Sequence, residues 1–405
     1  MKRLIAFVIL LFMGLSAGYT CTTAIISGKY TQSGRPLLWK HRDTDYLKNK
    51  VAWFNEGSMW AVALVDSEDE QYKNIWIGYN SAGFAIMNSA SYNLNEQDTT
   101  DYSGKEGILM KEALLQCKTV DEFEQFLQEH KKPLGVEANF GVIDAQGNGA
   151  YFETNNYDYT KYSVNNKKIA PHGYLIRSNY SFSGRPNQGE GYIRYETASR
   201  IFYRASGGDR LSLDFILNQA SKSLENPLIG TDNADLKNIP EEQDNYYYVG
   251  DCINRYYSSS SVVVQGVKKS ETPELTTMWS KVGYPLSSVV VPVWGSDQGS
   301  LPDVLTAPAG ENAPLCKKAL ALKDRMFPMD RGHGDYYINT TRVYNAENTG
   351  ITQKLAPLNR KTFSRGQKKL NGWRKEGQID PEEMKQFYQW IDQTIQQQYQ
   401  KLFDL

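Results

Sequence analysis

Cys21 opens the run "CTTAIISG" directly behind an apolar leader, at the head of a strand-like segment. A thiol attacks carbonyls only as thiolate, so a nucleophilic cysteine needs a lowered pKa or a base beside it. If the chain were cut before Cys21, its own α-amine, with a pKa of about 7.7–8.0, would be that base. One cut would then make nucleophile and base from a single residue. The other cysteines carry no such signal. Cys117 and Cys316 sit in helical patterns and read as buried small apolar side chains, and a Cys252–Cys316 bridge is left open by the sequence.

Other chemistries lack their residues. The four histidines, His41, His130, His172 and His333, are far apart in sequence, which argues against a histidine metal site. A Cys–His pair using His41 or His172 stays open at this level. The "DTD" run at 43–45 reads as a turn rather than a cation site. There is no G-x-S-x-G elbow, H-E-x-x-H helix, Walker loop or dinucleotide glycine pattern.

In the whole chain of 405 residues, residues 1–20 read as an export leader. Lys2 and Arg3 precede an apolar run over 4–15, followed by small residues at Ser16, Ala17 and Gly18. The run is shorter than the ~20 residues of a membrane span. Small-residue preference favours a cut after Ala17, with trimming to Thr20–Cys21 still required. A net charge of −1, with both signs interspersed, offers no basic face for nucleic acid. The expectation is an exported protein, periplasmic or secreted.

Short runs rich in β-branched and aromatic residues follow Cys21, separated by Gly, Ser and Asn: "PLLWKHRD", "WAVALV", "NIWIGYN", "FAIMNSAS". Two helices are expected over "GKEGILMKEALLQC" and "TVDEFEQFLQEH", the second capped by Thr119. Strands resume at "ANFGVIDAQGNGAYFET", with a hairpin turn in the middle. "RYETASRIFYRA" and "LSLDFILNQASKSL" read as helices, and a third strand group closes near residue 296. Grouped strands alternating with grouped helices indicate an α+β layered fold. The tail reads as helices over 313–325 and 376–403, joined by a polar stretch at 330–372.

These residues resemble the N-terminal-nucleophile hydrolases of the choloylglycine hydrolase and penicillin V acylase type, and the related acyltransferases of penicillin biosynthesis. The mature chains of that family begin Cys-Thr, as "CTTAII" does. The family's Arg, followed three residues on by Asp, is matched to Arg42 and Asp45 in "KHRDTD". Its two Asn positions are matched to Asn88 in "FAIMNSAS" and Asn179 in "YLIRSNYSF", and its helical Arg to Arg200 in "ETASRIF".

The resemblance implies a four-layer αββα sandwich over residues 21–300, with 301–405 as a helical extension packed on it. It implies that Cys21 attacks a linear, non-peptide amide of an N-acyl small molecule through a thioester. Arg42 would favour the thiolate, Asp45 would hold the α-amine, Asn88 and Asn179 would donate to the oxyanion, and Arg200 would brace the network. No metal or organic cofactor is implied, and homo-oligomers occur in the family. An acyltransferase or a dipeptidase would use the same residues. A reading from a different class makes Cys21 the lipid-anchored first residue of a lipoprotein, but Gly18, Tyr19 and Thr20 are a poor lipobox.

Overall fold

A computed structural model describes residues 20–95, 98, 100, 103–208, 211–230 and 235–405. Apart from Thr20, residues 1–20, read above as an export leader, lie outside the described residues. Behind it, β1 (Thr22–Ile26) is buried along its whole length, as a β-branched run between two layers must be. It pairs antiparallel with β2 (Leu37–Asp43), with Thr22 opposite His41 and Thr23 opposite Lys40.

Seven strands then form one antiparallel sheet in sequence order: β3 (Asn49–Asn55), β4 (Trp60–Asp66), β5 (Ile75–Asn80), β6 (Ala85–Ala90), β7 (Ala138–Ile143), β8 (Gly149–Thr154) and β9 (Tyr159–Ser163). The other sheet gathers distant segments around the first two strands. Its additional members are β10 (Tyr174–Arg177), β12 (Ser258–Gln265), β13 (Thr277–Val282) and β14 (Val291–Val293), and its order is β10-β1-β2-β12-β13-β14. A small ribbon pairs β11 (Tyr246–Tyr248) with β15 (Tyr337–Asn339).

The two large sheets pack face to face through β1 and β2 against β6, β7 and β8. Polar bonds pin that inner layer. Tyr151 Oη of β8 donates to Thr23 Oγ1 of β1 at 2.8 Å, and Lys40 Nζ of β2 donates to Asn88 Oδ1 of β6 at 2.9 Å. On the outer face of the seven-stranded sheet lie α1 (Glu106–Gln116) and α2 (Val120–Glu129). Leu109, Met110, Leu114 and Phe123 join Ala63, Ile86, Phe140 and Phe152 in one apolar cluster there. Thr119 caps α2 as expected, accepting from Glu122 N. The other outer face is covered by α3 (Tyr192–Ser206), α4 (Leu213–Asn218), α5 (Pro314–Met326) and, after the one-turn α6 (Thr340–Val343), by α7 (Ile351–Glu376) and α8 (Pro381–Phe403). The layers are αββα, as the family resemblance implied.

Two expectations need correcting. The stretch taken as a polar connection at 330–372 contains most of α7. Its buried stripe, Ile351, Leu355, Leu358, Thr362, Gly366, Leu370 and Trp373, has helical spacing but uses small and polar members. Gly366 is there for contact: a Cβ would come within 2.8 Å of Pro292 Cγ on β14. The Cys252–Cys316 bridge left open above does not form. Each is a separate buried thiol, donating to Leu224 O and Leu47 O respectively. Burial pushes the Cys252 thiol up to about 12 and the Cys316 thiol up to about 11, which makes both poor nucleophiles. Among the described residues no helix is long and apolar enough to cross a membrane.

Candidate active site

Cys21 stands at the head of β1, 3% exposed, at the end of the sandwich where β2, β6 and α3 converge. Two guanidiniums, that of the buried Arg194 and that of the partly exposed Arg255, hold the backbone on either side of it. Arg194 Nη1 donates to Cys21 O at 2.7 Å, and Arg255 Nη2 donates to Thr20 O at 3.4 Å. The peptide carbonyl that precedes Cys21 and its own carbonyl are therefore both held by cationic donors.

The sulfur's near neighbour on the inner face is Lys40. Its ammonium bonds to Asn88 O and Asn88 Oδ1, and the Cys21 side chain is a further hydrogen-bond partner. Burial lowers the pKa of this lysine, and the charge of Cys21 works in the opposite direction. On the outer side, Arg194 also donates to Thr22 Oγ1 at 3.3 Å and Asn179 Oδ1 at 2.9 Å. Asn179 Nδ2 in turn donates to Ala90 O of β6 at 2.9 Å, tying the two sheets together beside the thiol.

Arg194 reaches this place because α3 docks on the back of β2. Trp39 of β2 stacks on Phe202 of α3 with centroids 5.8 Å apart. Gly191, just before the helix, has φ of 79°, and a Cβ there would stand 2.4 Å from Arg194 Nη2. Only glycine leaves room for the guanidinium to pass.

A second polar network lies behind the cysteine. Asp43, fully buried at the end of β2, accepts from Arg255 Nε at 3.0 Å and from Ser258 Oγ at 2.7 Å. His41 Nε2 lies 3.2 Å from the same Ser258 oxygen. Since the serine hydrogen goes to Asp43, this ring nitrogen is the donor, and burial lowers the His41 pKa to about 4, keeping the ring neutral. Asp43 thereby fixes the Arg255 that holds Thr20 O.

The structure places the six residues singled out in the sequence differently. Cys21, Asn88 and Asn179 come together. Asp45 and Arg200 do not join them, and Arg42, whose charge acts on Lys40, gives its guanidinium to another partner. Arg42 is buried on the same face of β2 as Lys40, but Asp66 takes its guanidinium at 2.8 Å and the Trp76 ring lies 4.4 Å from it. Asp45 lies beyond the end of β2, exposed, where Arg255 is the cation that acts on it. Arg200 is 57% exposed and paired with Glu196 one turn away. The residues around Cys21 that the reading missed are Lys40, Asp43, Arg194 and Arg255. Lys40 and Asp43 keep the cation-x-x-Asp spacing two residues earlier. Arg194 lies on the buried stripe of α3 with Ala198, Ile201, Phe202 and Ala205, whereas Arg200 lies off it.

Arg200→Ala should accordingly leave stability within about 0.5 kcal/mol of wild type, as expected of an exposed helical ion pair. Thermal denaturation checks this, and any acyl-amide activity should be unchanged.

The loop after Asn179 is shaped by a fully buried ion pair. Arg177 Nε donates to Glu153 Oε1 at 2.6 Å, and the same carboxylate accepts from Phe182 N and Ser183 N. Glu153→Ala would strand the Arg177 charge and free that loop. The expected loss is about 3–5 kcal/mol, measured by urea unfolding.

No family profile and no curated protein matches this chain in sequence. Among solved structures, the chain is similar to a conjugated bile acid hydrolase from Clostridium perfringens, with 10% identity and a TM-score of 0.41 over 68% of this chain and 92% of that one. It is similar to an N-acylethanolamine-hydrolyzing acid amidase orthologue from Caenorhabditis elegans, with 12% identity and a TM-score of 0.39 over 62% and 93%. A penicillin V acylase from Agrobacterium tumefaciens aligns with 11% identity and a TM-score of 0.37 over 68% and 86%.

Proposed function

We propose that this chain is an exported cysteine amidohydrolase that cleaves a linear amide of an N-acyl small molecule, with Cys21 as its nucleophile and, once freed, its amino terminus. The observation that carries this reading is the convergence of Lys40, Asn88, Asn179 and Arg194 on one buried cysteine at the start of the central strand. A structural cysteine does not call for two cations and two carboxamides around it. At the buried Cys117, by contrast, the neighbouring charge is the Glu122 carboxylate.

In the proposed reaction the thiolate adds to the amide carbonyl and the α-amine passes its proton to the leaving nitrogen. Lys40 and Arg194 occupy the oxygens of Asn88 and Asn179, which turns each NH₂ group away from its cation and leaves the Asn88 NH₂, and the Asn179 hydrogen not given to Ala90 O, as donors for the oxyanion. Water then resolves the thioester. Export is supported by the leader's charged start and apolar run. The rings of Tyr180, Phe182, Tyr192 and Tyr195 form a cluster beside Asn179 and Arg194, with centroids 4.3–5.7 Å apart. Such a surface suits an apolar or aromatic acyl group.

The test is amine release from a panel of N-acyl amides by the purified exported protein, covering conjugated bile salts, aryl-acetyl amides, N-acyl homoserine lactones and N-acyl amino acids. Turnover of at least one, lost on thiol alkylation, is the expected result. A lipid-modified Cys21 with no turnover would favour an anchored protein instead.

A further inference from the structure

The precursor poses a chemical problem that the mature enzyme does not. While the Thr20–Cys21 bond is whole, the nitrogen of Cys21 is an amide and cannot serve as a base. We propose that Lys40 accepts the Cys21 thiol proton in the uncut chain and returns it to the Cys21 nitrogen as the bond to Thr20 breaks. This rests on the reading of Cys21 as the nucleophile.

The geometry fits proton exchange without rearrangement. Nζ has two oxygen acceptors on Asn88, its carbonyl and its Oδ1, and the Cys21 sulfur as third partner. A neutral amine would donate two hydrogens to Asn88 and turn its lone pair to S–H. An ammonium would keep those two bonds and donate its third hydrogen to S⁻. Every polar partner is satisfied in both forms. Arginine at this place could neutralise a thiolate, but with a pKa above ~12 it could not take up and release the proton.

The charged and titratable groups that act on this pair are Arg42 and Asp43 on the lysine's own strand, Arg194 from α3, and the Tyr92 phenol. Burial, the largest influence on Lys40, favours its neutral form.

The steps balance. The sulfur proton moves to Nζ and sulfur bonds to the Thr20 carbonyl carbon, whose oxygen Arg255 Nη2 already holds. The carbon–nitrogen bond then breaks as Nζ returns the proton. This leaves a free α-amine and a Thr20 thioester on Cys21. Water cleaves that thioester, releasing the Thr20 carboxylate and restoring the thiol, and the α-amine is thereafter available as the base.

Wild type, Lys40→Arg and Lys40→Met would be compared as full chains. Intact mass would give the rate of Thr20–Cys21 cleavage, and iodoacetamide would report Cys21 reactivity in uncut chain. Lys40→Arg should fold normally and keep Cys21 reactive, yet cleave at least about 100-fold more slowly. Lys40→Met should lose cleavage, and its Cys21 alkylation should fall about tenfold or more. Cleavage at the wild-type rate in Lys40→Arg would overturn the proposal, as would undiminished alkylation in Lys40→Met. If wild type stays uncut while its alkylation depends on Lys40, the sulfur–lysine pair stands and the amide-cleaving reading fails.

Discussion

Cys21→Ser is expected to lower amide turnover on the order of 10⁴-fold or more while leaving the fold intact. A hydroxyl is a far weaker nucleophile than a thiol near neutral pH, and removing the nucleophile of such a unit removes most of its advantage. Structure should not suffer. The side chain is buried, the replacement is nearly isosteric, and β1 is held by its pairing to β2 and β10 rather than by the sulfur. Circular dichroism and thermal unfolding should match wild type, while amine release from the best substrate of the panel should vanish. Full turnover in the serine variant would remove Cys21 from the chemistry. The same variant separates the competing class: a lipid-anchored protein would lose its membrane attachment with this substitution and have no turnover to lose.

Asn179→Ala should act mainly on turnover. Its amide oxygen is fixed by Arg194 and its nitrogen by Ala90 O, so its geometry is set before any substrate arrives. A donor aimed at the developing oxyanion contributes more as negative charge grows, so its loss lowers kcat more than it raises KM. Oxyanion donors removed one at a time cost about 10²–10³-fold in comparable sites. The variant should therefore show kcat reduced by that order with KM within a few-fold of wild type. A raised KM with unchanged kcat would mean that Asn179 holds the substrate rather than the transition state. Asn179→Asp is a sharper control, since it keeps the size but replaces the donor with a charge repelled by the oxyanion.

The layered architecture could be read from the sequence because it rests on local patterns: β-branched runs broken by turn residues, and helices with apolar three–four spacing. Cys21, Asn88 and Asn179 were legible through the family resemblance, which matches them by motif and by order along the chain. The charged partners were not. Lys40 and Arg42 share one face of β2, and period-two alternation cannot choose between them. What decides is that Asp66 and Trp76, from the neighbouring sheet, claim Arg42. On α3 the information was present: Arg194 shares the stripe of Ala198, Ile201 and Phe202, and Arg200 does not. Arg255 lies on no periodic element, and bonds from its side chain to Asp43 and Gly250 O bring it to Thr20. The missed α7 fails for a different reason. Its packing uses Thr362 and Gly366 where a hydropathy pattern looks for Leu or Ile, and Pro357 stands within it.

The most direct test of the central claim is the intact mass and N-terminal sequence of the protein recovered from the exported fraction. The recovered chain should begin with an unmodified Cys21, its α-amine free. A Cys21 carrying lipid, or a stable active chain that still retains Thr20, would contradict that claim.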